Sequence, residues 1–230
     1  MFSGLIEIFQ DPRAFFLGVL IVLPGYLIGL TLHEYGHAYF ANKSGDDTAY
    51  LMGRLSFNPL KHIDWIGLAC LFFAGIGWAK PVMINPSRVG RNTSRSRRWW
   101  FISIAVAGII VNLIVAFVLF FGWAIVCKFL PATAFVSRGF FLADNIIYAA
   151  IRINLALAFF NLLPVPPLDG YRFASTCLRR PPFALQQIER YGVFIVWALA
   201  LSGLLGKYLN FFAGGTYTLM GKLAQLVGLL

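Results

Sequence analysis

His33-Glu34-Tyr35-Gly36-His37 places two imidazoles one helical turn apart, so both face the same way and can ligate one zinc ion. Glu34 between them is then poised as general base toward the water that a zinc hydrolase activates. The motif closes a nineteen-residue uncharged run from Ala14 to Leu32, close to the length needed to cross a bilayer. Ionisable groups at such depth are costly and mark function. The residues point to a zinc enzyme whose chemistry takes place within a membrane.

A zinc hydrolase needs three protein ligands and an open position. Besides His33 and His37 the chain offers His62 and nine acids, of which Glu34 is reserved as base. Asp46, Asp47 and Asp64 fall in polar loops, and Glu7, Asp11, Asp144 and Glu189 lie near the ends of apolar spans. Asp169 alone is an acid in an apolar, proline-stiffened segment, Pro164-Val165-Pro166-Pro167-Leu168-Asp169-Gly170, and is the expected third ligand by elimination. Its bland alternative is a turn residue, since Asp-Gly is a common turn pair. His62, beside Asn58, Pro59 and Lys61, reads as a loop or interface residue.

The elements that position these groups follow from composition. Of 230 residues, 59% are hydrophobic and 12% charged, more apolar surface than a soluble domain of this size can hide. The expected class is an all-α polytopic membrane protein with about five to six hydrophobic segments, and a small strand or re-entrant insertion after the first span. Uncharged spans at helical length argue against an outer-membrane barrel, whose strands alternate. One domain, residues 1–230, is expected, with a catalytic core over about 15–175 and C-terminal helices over about 188–230. The first span carries no basic leader or small-residue cleavage site and is expected to stay in the mature chain. Net charge of +10 comes from basic loops beside apolar spans, which anionic lipid headgroups and the positive-inside rule explain without nucleic acid. Cys70, Cys127 and Cys177 are widely spaced small hydrophobes.

Span one covers about 14–41, with Pro24 inside it and Gly25, Gly29, His33 and His37 on one stripe. Residues 50–57 could form a strand or hairpin. The apolar piece 65–79 has fifteen residues, too short to span. Trp99 to Cys127 is an uncharged run of twenty-nine and must span, 139–163 and 191–209 are further candidates, and 210–230 is either a sixth span or an interfacial helix. The basic loops 80–98 and 171–190 are joined by two spans and share a side, which the positive-inside rule makes cytoplasmic. For Asp169 to meet His33 and His37, the first span must end on that side too, and 65–79 must enter and return or lie on the surface.

Asn112 sits inside the long run. It reads either as an interhelical hydrogen-bonding residue or as a donor toward a substrate carbonyl. Asn154 and Asn161 share a face with the same two readings. Arg152 near mid-span calls for a partner or for snorkelling, and Trp99-Trp100 read as an interface anchor.

Taken together, His33–His37 and Asn161-Leu162-Leu163-Pro164-Val165-Pro166-Pro167-Leu168-Asp169-Gly170 resemble the site-2 protease family of intramembrane zinc metalloproteases. The segments 53–64 and 77–82 are similar to its short bacterial and archaeal members, which lack appended soluble domains. The resemblance covers roughly residues 15–175. It implies one zinc per chain on His33, His37 and Asp169, with Glu34 as catalytic base. It further implies that Asn112 and Asn161 help hold substrate, and that the region 50–58 pairs with it as an added strand. Where many relatives read alanine-glycine-proline, this chain has Ala107-Gly108-Ile109.

The expected activity is hydrolysis of peptide bonds in or near transmembrane segments of membrane protein or peptide substrates. The expected location is the cell membrane, as a multi-pass protein with its active site near the cytoplasmic side. A metal-ion transporter or a non-catalytic membrane binding protein is the alternative, since intramembrane His and Asp also mark ion paths.

Overall fold

A computed structural model describes residues 10–74, 77–91, 93–178 and 183–229. Helix α1 (Pro12–Lys43) starts where Asp11 accepts from the N–H groups of Arg13 and Ala14, both at 3.0 Å, with Pro12 in the first turn. It runs on through Pro24 and ends in a basic last turn at Lys43. Then come the short α2 (Thr48–Leu51), a 3₁₀ turn at Pro59–Lys61, and the apolar α3 (Trp65–Ala74). The long α4 (Arg97–Phe129) is capped by Ser96 Oγ, which accepts from Trp99 N–H at 3.2 Å. Helix α5 (Arg138–Leu162) is capped by Ser137 in the same way and ends at the proline-rich segment. Helices α6 (Asp169–Cys177), α7 (Phe183–Leu201) and α8 (Leu204–Leu226) complete the chain.

Helices α1, α4 and α5 pack pairwise against one another and form the frame of the molecule. Gly25 lets α1 approach α5 closely, because a Cβ there would overlap the backbone of Ala150. Beside it, the fully buried Asn154 donates to Ala150 O at 2.8 Å within α5 and reaches Gly25 O of α1 at 3.5 Å. A second core joins α4, α5 and α8 through Phe120, Leu155 and Met220. Around this frame the outward faces are apolar: Phe16, Leu20, Ile114 and Val118 are all more than half exposed. Water would penalise such a surface, and a bilayer removes the penalty.

The described residues form helices and no strand. One isolated antiparallel bridge, Ile63 to Ala79, stands where a strand or hairpin was expected over 50–57, and residues 48–51 are helical instead. Among the described residues, three helices, α1, α4 and α5, are long and apolar enough to cross a membrane. A fourth span is counted if 189–201 and 204–226, bent by 79°, cross as one. The remaining apolar segments expected from the sequence differ from these three. Helix α3 has ten residues and reaches only about 15 Å. The last two segments meet at a sharp break where Gly203 takes φ of 75°. The piece 65–79 leaves beside Ile63 and returns to it at Ala79, with Lys80 N–H donating to His62 O at 2.9 Å.

Two isolated polar or aromatic residues find partners that composition could not name. Arg152 donates to Asn210 Oδ1 on α8 at 3.2 Å. Trp100 is buried against Ala41, Val89 and Ile104, and its indole N–H donates to Thr93 at 2.8 Å, so it is a core residue and not an interface anchor.

Candidate metal centre

The helical period aligns His33 and His37 on the buried face of α1. Opposite them α6 begins at Asp169, immediately after the prolines have ended α5 and turned the chain back. Three ligand atoms meet there. His33 Nε2 and His37 Nε2 are 3.1 Å apart, and Asp169 Oδ2 lies 3.1 Å from the first and 3.0 Å from the second. All three side chains are buried.

This triangle fits zinc. Ligands about 2.0–2.1 Å from a tetrahedral zinc are separated by about 3.3 Å, close to the edges observed. The donor set of two imidazoles and one carboxylate is one that zinc hydrolases use. Each ring is also held from behind. His37 Nδ1–H donates to the carbonyl of Ile104 at 2.7 Å, which leaves the Nε2 lone pair facing the centre. The side-chain amide of Asn112 lies 3.2 Å from His33 Nδ1. The amide orientation compatible with ligation has its oxygen accepting from Nδ1–H, which again frees Nε2. Gly108 brings α4 close enough for this contact, since a Cβ there would overlap the His33 ring.

Glu34 lines the same cleft, a cavity of about 400 Å³ that also includes Val82, Asn161 and Arg172. Its Oε2 accepts the main-chain N–H of Val82 at 2.9 Å. Val82 belongs to a non-helical strap over residues 79–85 that is tied at both ends. Upstream it bridges to Ile63, and Arg54 donates to Lys80 O at 3.2 Å. Downstream, Asn85 N–H donates to Asp46 Oδ2 at 2.7 Å. Asp46 is fully buried and also accepts from the N–H and hydroxyl of Thr48.

His33, Glu34, His37, Asp169 and Asn161 therefore share one cleft, whereas Asn112 is fully buried behind His33 and does not line it. Asn161 donates to Leu157 O at 3.0 Å. His62 stands apart, buried, with Nε2 against Ser56 O at 2.8 Å. Sequence reasoning passed over Asp46, Val82 and Arg172. Asp46 looked like one of several loop acids, Val82 serves the site through its backbone N–H, and Arg172 was absorbed into a basic loop.

YwhC of Bacillus subtilis, whose name describes a zinc metalloprotease, is 39% identical over 186 residues, covering 79% of this chain and 80% of its own. The Rip2 proteins, named likewise, are 29% identical in both Mycolicibacterium smegmatis and Mycobacterium tuberculosis strain H37Rv. These matches cover 84% and 86% of this chain, and 71% and 73% of theirs. No solved structure matches the chain. The model of peptidase family M50 matches residues 20–202, and the chain belongs to that family.

Proposed function

We propose that the protein is a zinc-dependent intramembrane endopeptidase that cleaves peptide bonds in or beside transmembrane segments of other membrane proteins. The observation that carries this reading is the triangle of ligand atoms, 3.0–3.1 Å on its edges, built from one spanning helix and a later one beside the Glu34 carboxylate. His33, His37 and Asp169 would hold a single zinc ion. When bound, zinc supplies Lewis-acid polarisation of the scissile carbonyl and makes water acidic enough to attack it. Glu34 takes the proton from that water and delivers it to the departing amine. Asn112 and Ile104 keep the two imidazoles aimed, and Asn161 lines the floor on which substrate lies.

A helical substrate hides its carbonyls in intrahelical bonds and must unwind locally before attack. The strap over 79–85 takes the pairing role first given to 50–58, because it is the non-helical backbone that runs past Glu34. The site lies toward the cytoplasmic side of the cell membrane. Supporting this, the basic loop 80–98 meets the end of α1, with Gly90 N–H donating to Ser44 O at 2.9 Å, and Arg98 donates to Thr176 O at 3.1 Å on α6. His37 is six residues from the end of α1, roughly 9 Å along the axis. The chain acts as one catalytic unit, with anionic headgroups as the partners of its basic loops.

The test is zinc analysis of purified wild type, Glu34→Gln and Asp169→Ala, coupled to cleavage of a model membrane peptide. Wild type carries one zinc and cleaves. Glu34→Gln keeps the zinc and loses cleavage by roughly 10²–10⁴-fold, and Asp169→Ala loses both. Turnover retained in Glu34→Gln would reject the mechanism.

A further inference from the structure

Peptide hydrolysis needs a group to receive the charge that develops on the scissile carbonyl oxygen. Asn112 cannot be that group, because its amide is fully buried and set against His33 Nδ1 at 3.2 Å. The Asn161 amide donates to Leu157 O at 3.0 Å. Among the described residues lining the metal cleft, the one Lys or Arg is Arg172.

Arg172 sits three residues after Asp169 on the same face of α6, and helical side chains lean back toward the N-terminus of their helix, where Asp169 lies. Its Nη1 is 4.0 Å from Asp169 Oδ1, the carboxylate oxygen that faces away from the histidines. That separation is an ion-pair contact and too long for a hydrogen bond, so the N–H groups stay available to another acceptor. The Arg172 side chain is 53% exposed while Asp169 is 8% exposed, which places the guanidinium at the open mouth of the buried centre. It also lines the adjoining cavity of about 440 Å³ behind the strap, so it has room to swing.

We propose that Arg172 is a catalytic residue that donates hydrogen bonds to the developing oxyanion of the scissile carbonyl. The proposal rests on the zinc-peptidase reading above. As the water oxygen bonds to the carbonyl carbon, one electron pair moves onto the carbonyl oxygen and the water's proton passes to Glu34. Arg172 holds that oxygen's new charge. The pair then returns, the C–N bond breaks, and the proton on Glu34 leaves with the amine. A guanidinium suits this task because it stays charged at every working pH and offers several donors in a fixed plane.

The experiment compares full-length wild type, Arg172→Met and Arg172→Lys in detergent, by zinc content, kcat and KM on a membrane peptide. It adds the affinity of each for a phosphinic peptide, whose tetrahedral anion mimics the charged state. The expected result is a kcat loss of roughly 10²–10³-fold in Arg172→Met. KM and zinc content stay near wild type, phosphinic peptide binding weakens in parallel with kcat, and Arg172→Lys falls between. An unchanged kcat overturns the proposal. So does a rise in KM alone, or loss of zinc in both variants, which would make Arg172 a support for Asp169. Wild type that binds zinc and cleaves nothing overturns the peptidase reading together with this one.

Discussion

The main-chain N–H of Val82 donates to Glu34 Oε2 at 2.9 Å, joining two residues 48 positions apart. The carboxylate proposed to accept and release a proton is thereby oriented by a group that cannot itself titrate. Hydrogen bonds to charged groups are worth about 1.5–3 kcal/mol, enough to select one rotamer of Glu34. Val82→Pro removes this donor together with the Val82 side chain that packs beside Ala38 and Ala49. The variant keeps its zinc and loses roughly tenfold or more in kcat, by the same energy scale, as read by metal analysis and peptide cleavage.

The strap that carries Val82 depends on Asp46. Its carboxylate is fully buried and accepts from Asn85 N–H, Thr48 N–H and Thr48 Oγ1. Asp46→Ala leaves these donors without a partner, at about 1–3 kcal/mol for each one that stays buried. Thermal unfolding in detergent should show a lower midpoint, with the smaller loss in Asp46→Asn, which keeps an acceptor oxygen.

Asn112 acts through His33. Partners behind a metal-bound histidine typically govern affinity by 10–100-fold, so Asn112→Ala should weaken zinc by roughly that factor. Competition with a chromophoric chelator measures it. KM at saturating zinc should stay within about threefold, a small change on the scale of uniform binding effects.

Gly108 and Gly122 lie on the same helix and make a matched pair. A Cβ on Gly108 would overlap the His33 ring, whereas a Cβ on Gly122 meets nothing within 4 Å. Gly108→Val should therefore abolish stoichiometric zinc binding, and Gly122→Val should leave it at wild-type level. Equal zinc content in the two would refute the placement of α4 against His33.

Arg152 and Asn210 offer a test away from the centre. Their 3.2 Å contact joins α5 to α8 across the exposed side of the frame. Arg152→Leu should change the unfolding midpoint little and leave cleavage intact, since the arginine contributes to neither the zinc ligands nor the cleft. A loss of activity would show that α8 reports to the centre.

What the amino-acid order determined by itself is whatever a local period or a composition can encode. The turn-by-turn repeat of α1 aligns His33 with His37 for any helix of that sequence. The apolar runs dictate helices in lipid. The prolines at 164, 166 and 167 end α5 and deliver Asp169 at the start of another helix. The acid itself could be picked out because few acids share an apolar setting. Tertiary structure decided the rest, because those contacts join distant segments through groups without a chemical signature. Val82 supplies a backbone N–H that most residues could supply. Asn112 faces His33 only because Gly108 lets two helices touch. The strand expected at 50–57 gives way to a helix at 48–51, since the bridging partner of Ala79 is Ile63 and a four-residue turn needs no partner strand. Asp46 is a buried clamp and Arg172 a cleft cation, although by type each resembles its neighbours in a polar loop. Side-chain chemistry could be read along the chain; which atoms face one another is a property of packing.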